Sequence, residues 1–353
     1  MAFGLAVLLP TLGCGPVALA SQARAAESVP AAGSSVPAVL VAQLRTLAQG
    51  FDGHVGIAVE DVNQGWVAAY DGAALFPQQS VSKLWVALTV FQAIDQGRLS
   101  LSTPVTVGPG DMSVFHQPIQ KLLGPDGALT TTIDALLIGA IAQSDNAAND
   151  ILVRRAGGSG AVRRVIVEQR LGAIRCGPEE RVLQSKVAGV DWKPEYSFGQ
   201  AFWTARDAVP MDVRTAKLNA YLDDPDDGAS PTAMVQGLSR LQRGELLSPA
   251  STARFLQILA STETGPLRLK AGLGPGWSIA HKTGTGQDLG DLSTGYNDVG
   301  LLTAPDGRTY AVAVMIASTR RPIPERQAFM ADVARAVVAQ HDAEAGPIAD
   351  PNR

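Results

Sequence analysis

Three short stretches of this chain carry side chains that could do chemistry together. Ser80-Val81-Ser82-Lys83 sets a hydroxyl and an amine three positions apart, which on a helix puts both on one face about one turn apart. A serine hydroxyl is a poor nucleophile until a neighbouring base takes its proton, and a neutral lysine is such a base. Backbone N–H groups at a helix start add a positive end where an oxyanion would form. Ser144-Asp145-Asn146 supplies a second hydroxyl, a carboxylate and an amide. Lys282-Thr283-Gly284-Thr285-Gly286 offers a cation and hydroxyls for a substrate carboxylate. Its glycines, Gly284 and Gly286, would let a substrate backbone approach a strand edge closely. A phosphate loop is excluded, because the lysine precedes the glycines and no helical pattern follows.

Each stretch alone also fits a plainer role: an N-cap serine with a solvated lysine, a turn between helices, a glycine-rich strand end. The elements around them sharpen the reading. Val81, Leu84, Trp85, Leu88 and Phe91 follow helical spacing from Ser80 until Gly97. Residues 133–141 form a near-wholly apolar helix opened by the cap-like Thr131-Thr132-Ile133-Asp134. A helix apolar all round is buried, so Ser144-Asp145-Asn146 sits at the mouth of a core element. Trp277 to Ala280 reads as the strand that carries Lys282.

The rest of the chain supplies the frame. With 353 residues, 46% of them hydrophobic and 18% charged, it can bury a sizeable core. The net charge of −4 and the absence of a Lys/Arg-rich run exclude a nucleic-acid-binding role. Four scattered histidines and two cysteines show no metal-ligand spacing, so no cofactor is expected. Residues 1–25 read as a cleaved secretory signal with small residues near its end, although no basic residue precedes the apolar run. Localisation is therefore expected to be periplasmic or secreted, with no stable membrane association. Residues 26–37 read as a linker rich in Ala, Ser, Pro and Gly. A helix and a strand pair (Val55, Ile57, Val59, then Trp66 to Tyr70) follow. Two strands near the other end turn at Pro305-Asp306-Gly307, before a last helix over about 325–341. Strands at both ends with a helical middle predict an α/β fold: an antiparallel sheet with flanking helices, built from 38–79 and 262–345, with an all-α domain over 80–261.

Ser-x-x-Lys, Ser-Asp-Asn and Lys-Thr-Gly in this order resemble the motif set of class A serine β-lactamases and penicillin-binding proteins. Ser80 and Ser144 stand 64 positions apart, and Gly244-Glu245-Leu246-Leu247, Gly265-Pro266-Leu267-Arg268 and Gly276-Trp277 resemble the family's approach to its third motif. The resemblance covers roughly residues 38–341. It implies Ser80 as acylating nucleophile, Lys83 as its buried activator and Ser144 as proton relay to the leaving nitrogen. Asn146 would hold the substrate's side-chain amide and help fix Lys83. Lys282 and Thr283 would meet the substrate carboxylate, and Thr285 and Ser80 would supply oxyanion-hole N–H groups. Phe115 falls where the family places an aromatic at the cleft rim; an ordinary core phenylalanine is the other reading. Lys83 and Lys282 would disfavour each other's charge. The implied partner is a small β-lactam or a peptidoglycan-stem peptide, met by a monomer.

The family's Glu-x-x-x-Asn, which positions the hydrolytic water, is not intact. Counting forward from Ser144 favours Glu180, with Glu179 second. Asp191-Trp192-Lys193-Pro194-Glu195 echoes the local text, which adds Glu195, and counting back from Lys282 lands on Thr215. The counts disagree because the stretch between the second and third motifs carries an insertion of about 35 residues, of the kind a surface loop absorbs. Three functions follow. The first is a serine β-lactamase working through an acyl-enzyme on Ser80. The second is a D-alanyl-D-alanine carboxypeptidase or penicillin-binding amidase with slow deacylation, and the third a non-catalytic cell-wall-binding or sensor module.

Overall fold

The computed structural model describes Met1 and residues 35–345, so the expected signal over 1–25, with Cys14, and most of the expected linker lie outside the described residues. Eleven α-helices run over Ala38–Gly50 (α1), Lys83–Asp95 (α2), Ile133–Ile141 (α3), Asn146–Arg155 (α4), Ser159–Glu168 (α5), Glu180–Ala188 (α6), Ala201–Asp207 (α7), Met211–Asp223 (α8), Pro231–Gln242 (α9), Pro249–Ala260 (α10) and Ile323–Ala345 (α11) among the described residues. The main sheet takes β1 (Gly53–Asp61) and β2 (Val67–Tyr70) from one end of the chain. Two short antiparallel pairs then brace the helical part: β3 (Phe76–Pro77) with β6 (Gly228–Ala229), and β4 (Pro104–Val107) with β5 (Leu129–Thr132). From the other end come β7 (Ser278–Gly284), the short β8 (Asp288–Leu289), β9 (Leu292–Thr303) and β10 (Thr309–Thr319). The sheet is antiparallel in the order β2-β1-β10-β9-β7, with β8 on β9.

The alternation of β10 explains the two cores. Val312, Val314 and Ile316 face one cluster with Leu40, Leu44, Phe329 and Val333 from α1 and α11. Ala311, Ala313 and Met315 face the other, where α9 covers the sheet and leads into the helical layer. Successive strand residues point to opposite faces, so a strand covered on both sides is apolar at every position. In the helical layer, α2 is buried continuously from Lys83 to Ala93, which is why its apolar residues wrap the whole helix. The expected helix over 133–141 is α3, and Thr132 Oγ1 caps it by accepting from Ala135 N at 3.2 Å. The last helix is longer than expected at both ends. The short pairs β3–β6 and β4–β5 were too brief for alternation to reveal.

Leu88, 1% exposed at the centre of α2, tests how far this helix anchors both layers. Leu88→Ala is expected to cost about 3 kcal/mol, read as a lower midpoint in urea unfolding with an unchanged slope.

Candidate active site

Ser80 lies on a short 3-10 turn, Gln79–Ser82, that runs into α2, so Lys83 begins the buried helix one turn behind the serine. Lys83 is fully buried, and its Nζ donates to Ser80 Oγ at 3.0 Å, to Asn146 Oδ1 at 2.6 Å and to the Ser144 carbonyl at 2.9 Å. Ser144 Oγ stands 3.5 Å from the same nitrogen and accepts from Lys282 Nζ at 2.8 Å. Burial pushes Lys83 below the usual lysine range, against the opposing charges of Glu180, Asp145 and Asp150. Burial, and after it the Lys83 ammonium, push Lys282 well below that range. The expected lysine–lysine repulsion therefore acts on Lys282, second to desolvation, while Lys83 answers mainly to burial.

The Ser144-Asp145-Asn146 turn is built to face these amines. Ser144 adopts a left-handed φ of 61°, rare for a residue with a side chain. Asp145 caps α4 by accepting from Ala148 N at 2.9 Å, and its other oxygen accepts from Ile119 N at 2.6 Å. Asn146 Nδ2 donates to Val114 O at 2.9 Å, which fixes the amide with its oxygen toward Lys83. The turn reading and the chemical reading are thus both met by one loop.

Lys282 and Thr283 sit on β7, where Thr283 Oγ1 shares a 2.6 Å hydrogen bond with Thr264 Oγ1. Gly284 and Gly286 are also closely approached from within the protein. A Cβ at Gly284 would meet the Gln78 carbonyl at 2.5 Å, and one at Gly286 would meet the Thr294 carbonyl at 2.5 Å. Gly284 lacks a side chain so that β7 can pass against the segment before Ser80; the close approach is made by the protein's own backbone. Sequence reasoning also missed Arg268, though it quoted the stretch containing it. The buried guanidinium donates to the carbonyls of Gly284 and Asn297 at 2.9 and 2.6 Å and to Thr285 Oγ1 at 2.8 Å, and lies 3.8 Å over the Tyr296 ring. It is a fixed cation beside Lys282. Arg320 and Arg321, just past β10, pair with Asp291, Asp52 and Glu325.

Of the candidate bases, Glu180 alone lines the cavity with Ser80. That cavity holds about 280 Å³ and is also bounded by Phe115, Ser144, Asn146, Thr283 and Thr285. Glu180 is 6% exposed at the start of α6, and its backbone N–H donates to Asp150 Oδ1 at 2.7 Å. Burial raises Asp150 to about 7. Gln184 Nε2 donates to Glu180 Oε1 and to Gln79 Oε1, both at 2.8 Å. Glu180-x-x-x-Gln184 therefore keeps the spacing of the missing motif with an amide one methylene longer. Matching on an exact asparagine hid it. Glu179 is engaged by Arg154 and Arg181 at 2.8 Å, Glu195 is exposed on a 3-10 turn, and Thr215 donates to Met211 O on α8. Phe115, with a φ of 62° and 36% exposure, stands at the rim. Among the described residues, no cluster of His, Cys, Asp or Glu is arranged to hold a metal ion.

Gln79 ties the nucleophile segment to the end of α8 and the loop after it. It has a φ of 54°; its N–H donates to Asp227 Oδ2 at 2.7 Å and its side chain to Tyr221 OH at 2.7 Å. Tyr221 OH in turn donates to Asp227 Oδ1 at 2.8 Å, and burial raises Asp227 to about 7.

The sequence profile of the β-lactamase enzyme family matches residues 39–341. The chain is 26% identical to the β-lactamase VEB-1 of Pseudomonas aeruginosa over 299 residues, covering 84% of this chain and 88% of that one. A β-lactamase structure from Chitinophaga pinensis superposes with a TM-score of 0.72 at 25% identity, covering 86% of this chain and 99% of that one. A variant of the last common ancestor of Gram-negative class A β-lactamases superposes with a TM-score of 0.67 at 29% identity, covering 86% and 98%.

Arg268→Ala would leave two buried carbonyls without their donor. Its expected cost is about 3 kcal/mol, seen as a lowered unfolding midpoint; an unchanged midpoint would mean that water takes over both bonds.

Proposed function

The chain belongs to the β-lactamase enzyme family, and on that premise we propose that it hydrolyses the amide bond of β-lactams as a class A serine enzyme. The observation that carries this reading is the 3.0 Å contact of Lys83 Nζ with Ser80 Oγ, in a cavity that Glu180 also lines. Neutral Lys83 accepts the Ser80 proton while Oγ attacks the lactam carbonyl carbon. The N–H groups of Ser80 and Thr285 stabilise the developing oxyanion. The lactam C–N bond then breaks, and the leaving nitrogen takes a proton from Ser144 Oγ, which Lys282 and Lys83 can restore. The substrate carboxylate meets Lys282, Thr283 and the Arg268 guanidinium, and Asn146 holds the acylamino group.

Deacylation needs a water activated on the ester. Glu180 accepts the water's proton as its oxygen attacks, and collapse of the tetrahedral adduct returns Ser80 Oγ with its proton. Gln184 is a positioning residue: its amide holds Glu180 Oε1. The carboxypeptidase alternative rested on the lack of such a glutamate–amide pair, and the Glu180–Gln184 contact removes that motive. Export through a cleaved signal at 1–25 and work as a periplasmic or secreted monomer, with a role in antibiotic resistance, complete the reading. No helix among the described residues is long and apolar enough to cross a membrane.

Ser80→Ala is expected to abolish turnover of a chromogenic cephalosporin. Glu180→Gln should still acylate, yet slow deacylation by about 10²–10⁴-fold, so that intact-mass spectrometry finds a lasting adduct. Undiminished turnover in Ser80→Ala would sink the assignment, and rapid adduct loss in Glu180→Gln would remove Glu180 as the base. Protein recovered from a periplasmic extract should begin near residue 26 by mass; a chain starting at Met1 speaks against export.

A further inference from the structure

The base proposed for deacylation stands at the end of a chain of side-chain amides. Glu180 Oε1 accepts from Gln184 Nε2, which also donates to Gln79 Oε1. Gln79 Nε2 donates onward to Tyr221 OH at 2.7 Å, and that hydroxyl gives its single proton to Asp227 Oδ1 at 2.8 Å. Gln287, just before β8, donates to the oxygen of the Gln184 amide at 2.9 Å. Glu180, Gln184, Gln79, Tyr221 and Asp227 are all buried. Packing holds the chain in place as well. Leu183, Val187 and Leu218 cluster with the Tyr221 ring. Gly295 leaves the slot in which Gln79 lies, since a Cβ there would come within 2.5 Å of Gln79 Cγ.

An amide has a donating end and an accepting end, so such a chain has a direction. Were the Gln79 amide turned over, its NH2 would face that of Gln184, and two donors do not satisfy each other. A turned Gln184 amide would set its oxygen against Glu180 Oε1, leaving a buried carboxylate opposed rather than held. Tyr221 decides between the two directions. With its proton committed to Asp227 it can only accept, which compels Gln79 to present its NH2 there and its oxygen to Gln184. A base must lie within about 3 Å of the water it activates, and the Gln184 contact aims this one. Lys83 and Ser80 are served by other partners, Ser144 and Asn146, so acylation does not depend on that direction. Resting on the proposed lactamase reading, we infer that Tyr221 is a positioning residue for deacylation, acting by setting the direction of an amide chain that ends on Glu180.

Rapid-quench intact-mass measurement with a chromogenic cephalosporin separates formation of the acyl-enzyme from its decay. Tyr221→Phe, which removes the hydroxyl alone, should slow decay by about tenfold and leave formation within about twofold. Gln79→Met breaks the chain one link nearer Glu180 and should slow decay to a similar extent. The double variant should decay no more than about twofold slower than either single one, because both changes cut one chain. Loosened packing without a directed chain gives a different pattern: formation and decay fall together, or the losses multiply in the double variant. Either result overturns the inference. Unchanged decay in Tyr221→Phe, with adduct still accumulating in Glu180→Gln, also overturns it and leaves the lactamase reading standing. Should Tyr221→Phe fail to fold, Gln79→Met alone decides by the same split between formation and decay. A wild-type protein that neither acylates nor hydrolyses overturns both readings.

Discussion

Two lysine amines with no access to water govern how this protein is assembled. Transfer of an ammonium group from water into a protein interior is costly unless its hydrogen bonds are replaced. Lys83 and Lys282 meet that demand through one short turn, since both donate to Ser144. That shared acceptor obliges the start of α2, the loop before α4 and the strand β7 to converge. The remaining desolvation lowers the affinity of both amines for protons, which is the property a base beside a serine hydroxyl needs.

The parts of this arrangement that sequence reasoning reached are those with local signals. α3 announces itself through its apolar run and the Thr132 cap, and the β9–β10 hairpin through Pro305-Asp306-Gly307. The three motifs that bear the reactive groups are contiguous strings, so they too were legible. What escaped depends on contacts distant in sequence. Arg268 matters because two carbonyls and a hydroxyl on neighbouring strands converge on it. Gln184, hidden at i+4 from Glu180 by the search for an exact asparagine, matters also because α6 aims it at the distant Gln79. Gly284 was noticed for close approach, and only the fold reveals that the Gln78 carbonyl fills the space a Cβ would take.

The insertion also shows why counting failed. If the extra residues fall after Gln184, numbering carried back from Lys282 is displaced and numbering carried forward from Ser144 is not. The helices α6 to α8 are held by small apolar clusters of their own. Leu183, Val187, Leu218 and Tyr221 form one, and Ala188 and Phe202 pack with Val114 in another. These satellites are clusters separate from the two main cores.

The Gln79–Tyr221–Asp227 knot joins the end of α8 and the loop after it to the segment before Ser80. Gln78 reinforces it by donating to the carbonyls of Arg175 and Asp227, one on each side of the segment that carries α6 to α8. Both feet of the excursion are therefore stitched to the residues just ahead of Ser80. An arch clamped at its base can change its crown without shifting the ground beneath. Substitutions among the outlying residues of α7 and α8 can remould the outer mouth while the serine keeps its bearing, so that novelty in what is admitted and constancy in what is done become separable traits.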